Sequence, residues 1–207
     1  MKKTLQLLVA VALLLSVSMS ANAQFSKRQN NRVPDRFHMG LRAGLTLSTM
    51  TGDWADVHNV DALAFPYGGF ALDFQVAPVP IFVGIGLNYM NMGYKMDSYY
   101  HHDETVDAHC VHIPLTASYH INVAPNLFIN PFMGGWVAYN CTDMDDDDEW
   151  EDERFDYGLR FGCGMNFGRL TFDLGYDLGL KNFGSKDLDC KSGVFFMTVG
   201  FNWAGDR

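Results

Sequence analysis

Residues 155–180 constrain the fold more than any other stretch. They read Phe-Asp-Tyr-Gly-Leu-Arg-Phe-Gly-Cys-Gly-Met-Asn-Phe, then Gly168-Arg169, then Leu-Thr-Phe-Asp-Leu-Gly-Tyr-Asp-Leu-Gly-Leu. Before Gly168 the odd positions are large and apolar except Cys163; after Arg169 the apolar set moves to even positions. A two-residue loop with glycine first predicts a type II′ hairpin that pairs Phe167 with Leu170. In that register every bulky apolar side chain falls on one face of the ribbon. The other face carries glycine, Asn166, Thr171 and charges set opposite one another: Arg160 faces Asp177, and Asp156 faces Lys181. A soluble sheet would put Lys, Glu and Thr on its wet side. Large apolar residues against small or charge-paired ones predict a membrane barrel with lipid outside and a tight polar lumen.

The remaining chain repeats this pattern. Strands are expected at 37–48, 64–76, 81–92, 110–121, 127–140, 155–167, 170–180 and 193–203, each long enough for a tilted crossing of the hydrocarbon layer. Strand 127–140 has apolar residues on both faces and its orientation stays open. Pro114 removes a ladder hydrogen bond from its strand and predicts a bulge. The connections alternate long and short, as in outer-membrane barrels with long outside loops and short periplasmic turns. All four Glu (104, 149, 151, 153) fall in the expected loops. The fold class is therefore all-β: an eight-stranded antiparallel up-and-down transmembrane β-barrel.

The N-terminus has a basic start at Lys2-Lys3, an apolar run from Leu5 to Leu15 and a small-residue site at Ala21-Asn22-Ala23. These are the parts of a secretory signal peptide spanning 1–23 and cut before Gln24. The apolar run is short for a membrane anchor. The first cysteine is Cys110, so no acylated cysteine follows the cut. Residues 24–36 read as a periplasmic lead-in, 37–203 as the barrel and 204–207 as a tail. The expected location is the outer membrane of a Gram-negative bacterium. The formal charge of −9 becomes two units more negative without Lys2 and Lys3, and six Asp and three Glu lie within 143–153. Nothing basic or repetitive points to nucleic acid, and that class is excluded.

Several stretches resemble the PorT-type outer-membrane β-barrel family of Bacteroidetes: Gly40-Leu-Arg-Ala-Gly-Leu-Thr-Leu-Ser48, His112-Ile-Pro-Leu-Thr-Ala-Ser-Tyr119, Phe155-Asp-Tyr-Gly-Leu159 and Tyr176-Asp-Leu-Gly-Leu180. The resemblance covers nearly the whole mature chain. It implies a barrel similar in architecture to the small OmpA and OmpX barrels, and it transfers no catalytic activity.

Candidate chemistry is sparse. His101, His102, Asp103, Glu104, His109, Cys110 and His112 are metal-ligand types without a recognised spacing, and a hydrophilic His-rich loop explains most of them. Ser98 beside them lacks a base and an orienting partner, so no acyl-transfer site is read and the chain is expected not to be an enzyme. The acidic run lacks the glycine and final spacing of an EF-hand; Asp143, Asp145, Asp146, Asp147 and Asp148 are expected to hold divalent cations only weakly. Trp54 and Trp150 fit interfacial anchoring. Of the four cysteines, Cys163 lies near a periplasmic turn and the others at the outer end. At most one disulfide is expected, among Cys110, Cys141 and Cys190. The interior pairs Arg160–Asp177 and Asp156–Lys181, with Arg42, Asp73 and Asp173 nearby, are the remaining candidate site. No cofactor is expected. The expected partners are outer-membrane lipid and lipopolysaccharide, the outer-membrane assembly machinery, and a protein partner at the surface or in the periplasm. A structural, adhesive or docking barrel is the leading function. The alternatives are a narrow transport path and a soluble lipocalin-like carrier with the apolar face turned inward.

Overall fold

The computed structural model describes residues 37–52, 60–76, 79–96, 104–142, 154–183 and 190–204. The elements are β1 (Phe37–Thr51), β2 (Val60–Asp61), β3 (Leu63–Gln75), β4 (Ile81–Asn91), β5 (Tyr94–Met96), β6 (Glu104–Val106), β7 (His109–Tyr119), β8 (Ile121–Ala124), β9 (Leu127–Asn140), β10 (Phe155–Phe167), β11 (Leu170–Gly179) and β12 (Lys191–Ala204). Antiparallel pairing runs β10-β11-β12-β1-β3-β4-β7-β9, and β9 pairs in turn with β10, which closes an eight-stranded barrel. β8 continues the line of β7 beyond His120 along the edge of β9. No helix among the described residues is long and apolar enough to cross a membrane. Any crossing by the described residues is made by strands.

The β10–β11 hairpin has the register read from the sequence, with Phe167 opposite Leu170 and Arg160 opposite Asp177. Gly168 sits at φ +58°, and Asn126 is the only non-glycine residue with positive φ among those described. Arg169 therefore has negative φ, as a type II′ turn requires. Asn126 follows Pro125 in the turn joining Ala124 to Leu127, the sequence order that a type II turn favours.

The burial pattern is inside-out. Among the described residues thirty-four large apolar side chains are exposed, whereas ten apolar residues are buried. Soluble monomers rarely show contiguous apolar patches beyond a few hundred Å², and here the apolar band follows every barrel strand. A soluble carrier with its apolar face inward is excluded by this arrangement. In β9 the ambiguity resolves: Ile129, Met133, Val137 and Tyr139 point out, and Asn130, Trp136 and Ala138 point in.

Four local expectations are corrected. Pro114 causes no bulge. Ile85↔Leu115 and Asn88↔His112 keep one register on either side of it, and the ladder only lapses between them. Gly86 stands opposite; a Cβ there would lie 3.0 Å from the Pro114 ring, so glycine gives the proline room without a shift. The long connections 49–61 and 93–108 are also not wholly irregular, because β2, β5 and β6 form a separate three-stranded antiparallel sheet. Glu104 opens β6, so one of the four Glu does lie in a strand, although not in the barrel wall. The last strand extends to Ala204, one residue past the expected end of the barrel.

Candidate functional site

Inward side chains fill the lumen in layers, because alternate residues of every strand must point there. At the long-loop end the layer is apolar: Tyr67, Met90, Met92, Cys110, Trp136, Ala138 and Val194 form one buried cluster, with Ala108 packed against it. Glycine makes this filling feasible. A Cβ at Gly158 would lie 2.7 Å from the Trp136 ring, and one at Gly175 would lie 2.5 Å from the Phe196 ring. The glycine-crowded face of the β10–β11 ribbon is thus the seat of large rings carried by other strands.

Beneath that layer lies the charged centre. Arg160 Nε is 3.3 Å from Asp177 Oδ1, and His112 Nε2 is 3.4 Å from Asp177 Oδ2. Asp177 and His112 are wholly buried. Neither contact has hydrogen-bond angles, so the buried Asp177 carboxylate is offset by the Arg160 charge rather than by directed hydrogen bonds. The Arg160 guanidinium also lies over the Phe196 ring, 3.9 Å from its centroid. The proximity favours a cation–π contact. His112 Nδ1 faces Asn88 Nδ2 at 3.5 Å, and its ring packs against Trp136 with centroids 5.2 Å apart.

Further toward the short turns, Arg42 Nε meets Asp173 Oδ2 at 3.2 Å, and its Nη1 donates to Asn202 Oδ1 at 2.9 Å. Thr198 Oγ1 donates to the same Asp173 oxygen at 3.4 Å. Here the lumen opens into a chamber of about 110 Å³ with mixed walls, lined among others by Arg42, Asp73, Asn88, Phe132, Arg160 and Phe196. Its size and the polar groups in its wall suit a few waters. A stack of rings follows: Phe82 and His120 lie 3.9 Å apart at 15°, and His38 lies 5.2 Å from Phe82.

The other candidate residues distribute as follows. Asp156 Oδ2 accepts from Ser192 Oγ at 2.6 Å, and its Oδ1 accepts from the Tyr157 amide at 2.7 Å. Lys181 Nζ donates to the Phe155 carbonyl at 2.9 Å, next to Asp156 in the chain, and lies 5.1 Å from the Phe183 ring centroid. The histidine-rich run divides. Cys110 and His112 are buried in the lumen, whereas His109 takes part in a hydrogen bond with the Tyr89 hydroxyl at 3.0 Å. Ser98, His101, His102 and Asp103, the acidic residues Asp143, Asp145, Asp146, Asp147 and Asp148, and Trp54 and Trp150 lie outside the described residues. All four cysteines are free. Cys141 follows β9 and its amide donates to His109, while Cys110 points inward from the facing strand. Cys190 lies just before β12, where burial raises its thiol pKa. Sequence reasoning missed the His112–Asp177 contact and the ring stack: the inward phase of β4 and β7 puts Phe82 and His112 in the lumen but does not say what each meets across it.

The model of the outer membrane protein beta-barrel domain matches residues 22–184. The chain belongs to this family. It is an outer-membrane protein, and the band of exposed Leu, Phe, Val and Ile is the surface this barrel turns to lipid. No curated protein matches the chain. Among solved structures it is similar to the outer membrane protein OprG of Pseudomonas aeruginosa, with 13% identity, 80% of this chain and 95% of that one covered, and a TM-score of 0.49. It is also similar to Neisserial surface protein A, with 13% identity, 81% and 97% covered, and a TM-score of 0.43. A third is the attachment invasion locus protein Ail of Yersinia pestis, in complex with a heparin analogue, with 13% identity, 82% and 100% covered, and a TM-score of 0.44.

Proposed function

We propose that this outer-membrane barrel is a closed, non-catalytic element that acts through what it displays, as a structural, adhesive or docking protein of the PorT type. The observation that carries this reading is the filled lumen: an apolar layer of Tyr67, Met90 and Trp136, then the Arg160–Asp177–His112 centre, then the Phe82–His120 stack. Eight strands leave an interior that side chains fill, and these layers obstruct the axis at several depths. Partners then meet the protein at its lipid face or at its loops. The signal peptide 1–23 is removed before Gln24, residues 24–36 lead in from the periplasm, residues 37–204 form the barrel and residues 205–207 end in the periplasm. The long loops face outward, toward lipopolysaccharide and a protein partner at the surface. A periplasmic protein partner would meet the opposite end, and insertion relies on the assembly machinery.

The same packing disfavours the transport alternative, and planar-bilayer recording separates the two. The wild-type barrel is expected to give no stable conductance step, and neither is a Tyr67→Ala/Trp136→Ala variant, because the Arg160–Asp177–His112 centre and the Phe82–His120 stack still block the axis. A reproducible ohmic step in the wild type would sink the closed-barrel reading. Orientation has its own check. Protease on intact cells should cut only in the four long loops, and cleavage within 122–126 would reverse the topology.

A further inference from the structure

We propose that Met90, Met92 and Cys110 form a binding site for a soft monovalent metal ion, Cu(I), at the long-loop end of the lumen. Met90 and Cys110 are direct cross-strand partners on β4 and β7, and both point inward. Side chains so placed have Cβ atoms about 5 Å apart, within reach of a shared ion. Met92 lies just past the end of β4 and belongs to the same buried cluster. The side chains of Met39, Met133, Met165 and Met197 are not in that cluster, and the last three are exposed on the lipid face.

The segment carrying Met92 is pinned to the segment leading into Cys110. The Met92 amide donates to the Ala108 carbonyl at 2.8 Å. The buried Asn91 side chain accepts from the Gly93 and Ala108 amides at 2.7 and 3.0 Å and donates to Asp107 Oδ1 at 3.1 Å. The three sulfurs are thereby carried on backbone held from both sides, and the Cys110 thiol donates only to Ala108 O, at 3.2 Å.

The chemistry selects the ion. Two thioethers and a thiolate are soft ligands, suited to Cu(I) and poorly suited to hard divalent cations. Charge makes the same choice. Cu(I) with one thiolate and two neutral thioethers has no net charge, whereas a divalent ion would leave one buried in an apolar layer at high cost. Binding forms a Cu–S bond to Cys110, breaks its S–H bond and releases that proton to solvent. Copper keeps its oxidation state, so no oxidant or reductant is needed. A merely space-filling role for the two methionines is the competing account.

The test uses the full mature chain folded in detergent, with C141S/C163S/C190S leaving Cys110 as the one thiol. Anaerobic Cu(I) is titrated against a chromogenic Cu(I) chelator. The expected result is one Cu(I) retained per chain, with a sulfur-only shell by X-ray absorption. Met90→Leu/Met92→Leu conserves volume and should stay folded, judged by gel migration without heating. It should bind at least about tenfold more weakly, a change of roughly 1.4 kcal/mol. Cys110→Ser should abolish retention. If either variant fails to fold, Met92→Leu alone, at the edge of the cluster, decides by the same loss of affinity. Retention undiminished by the methionine changes, a nitrogen shell from the histidines, or no retention by the folded barrel would overturn the site.

Discussion

Asp177 is the residue on which the interior is most exposed to error. Its carboxylate is fully buried, touches Arg160 and His112 at 3.3 and 3.4 Å, and makes neither contact with hydrogen-bond angles. Little beyond the opposing charge offsets its desolvation. Removing one partner of such a pair strands the other, at a typical cost of about 3–5 kcal/mol, whereas replacing both with apolar groups often costs far less. Arg160→Met and Asp177→Leu should therefore each lower the urea midpoint strongly, and the double variant should recover much of the loss. Additive losses would show that the two side chains act independently. The pair itself was legible from the Gly168-Arg169 register. His112 as a second neighbour was not, because it reaches Asp177 from a strand across the lumen and no local pattern encodes that.

At the scale of the element, the Gly168 turn isolates a backbone requirement. Gly168 has φ +58° and nothing within 4 Å of where a Cβ would stand, so a side chain there meets strain rather than a clash. Gly168→Ala should destabilise the hairpin by about 1 kcal/mol and Gly168→Asn by less, since Asn tolerates the left-handed region. Equal losses in urea titration would place the cost elsewhere. The barrel strands were readable because lipid outside and a narrow lumen inside impose a strict alternation, most plainly in β10 and β11. β9 was harder: its inward set includes Trp136 and Ala138, apolar residues required to fill the lumen rather than to face lipid. β2, β5 and β6 are two or three residues each, too short for any period to register. Pro114 misled because the effect of a missing donor depends on the residue opposite, here Gly86. The acidic run 143–153 lies outside the described residues, and its nine carboxylates repel one another at neutral pH. We propose weak, salt-sensitive divalent binding there. Calorimetry of a variant with Asn at 145–148 should show reduced Ca²⁺ binding with barrel assembly intact, and tight stoichiometric binding by the parent would contradict it.

For the whole molecule, the account requires that lipid and lumen alternate residue by residue around a closed barrel. A barrel with thirty-four large apolar residues exposed among those described, and a charged, glycine-lined interior, has its solvent preference inverted, and only a hydrocarbon surround makes that stable. The most direct measurement is power-saturation spin-label scanning of 158–165 and 171–178 in lipid vesicles, one labelled cysteine at a time in a background without the native four. The account predicts that labels at 159, 161, 165, 172 and 174 collide with oxygen and are shielded from a water-soluble nickel relaxant, whereas labels at 164 and 173 show low oxygen collision. The opposite phase, or no alternation, would contradict the barrel orientation and the membrane assignment with it.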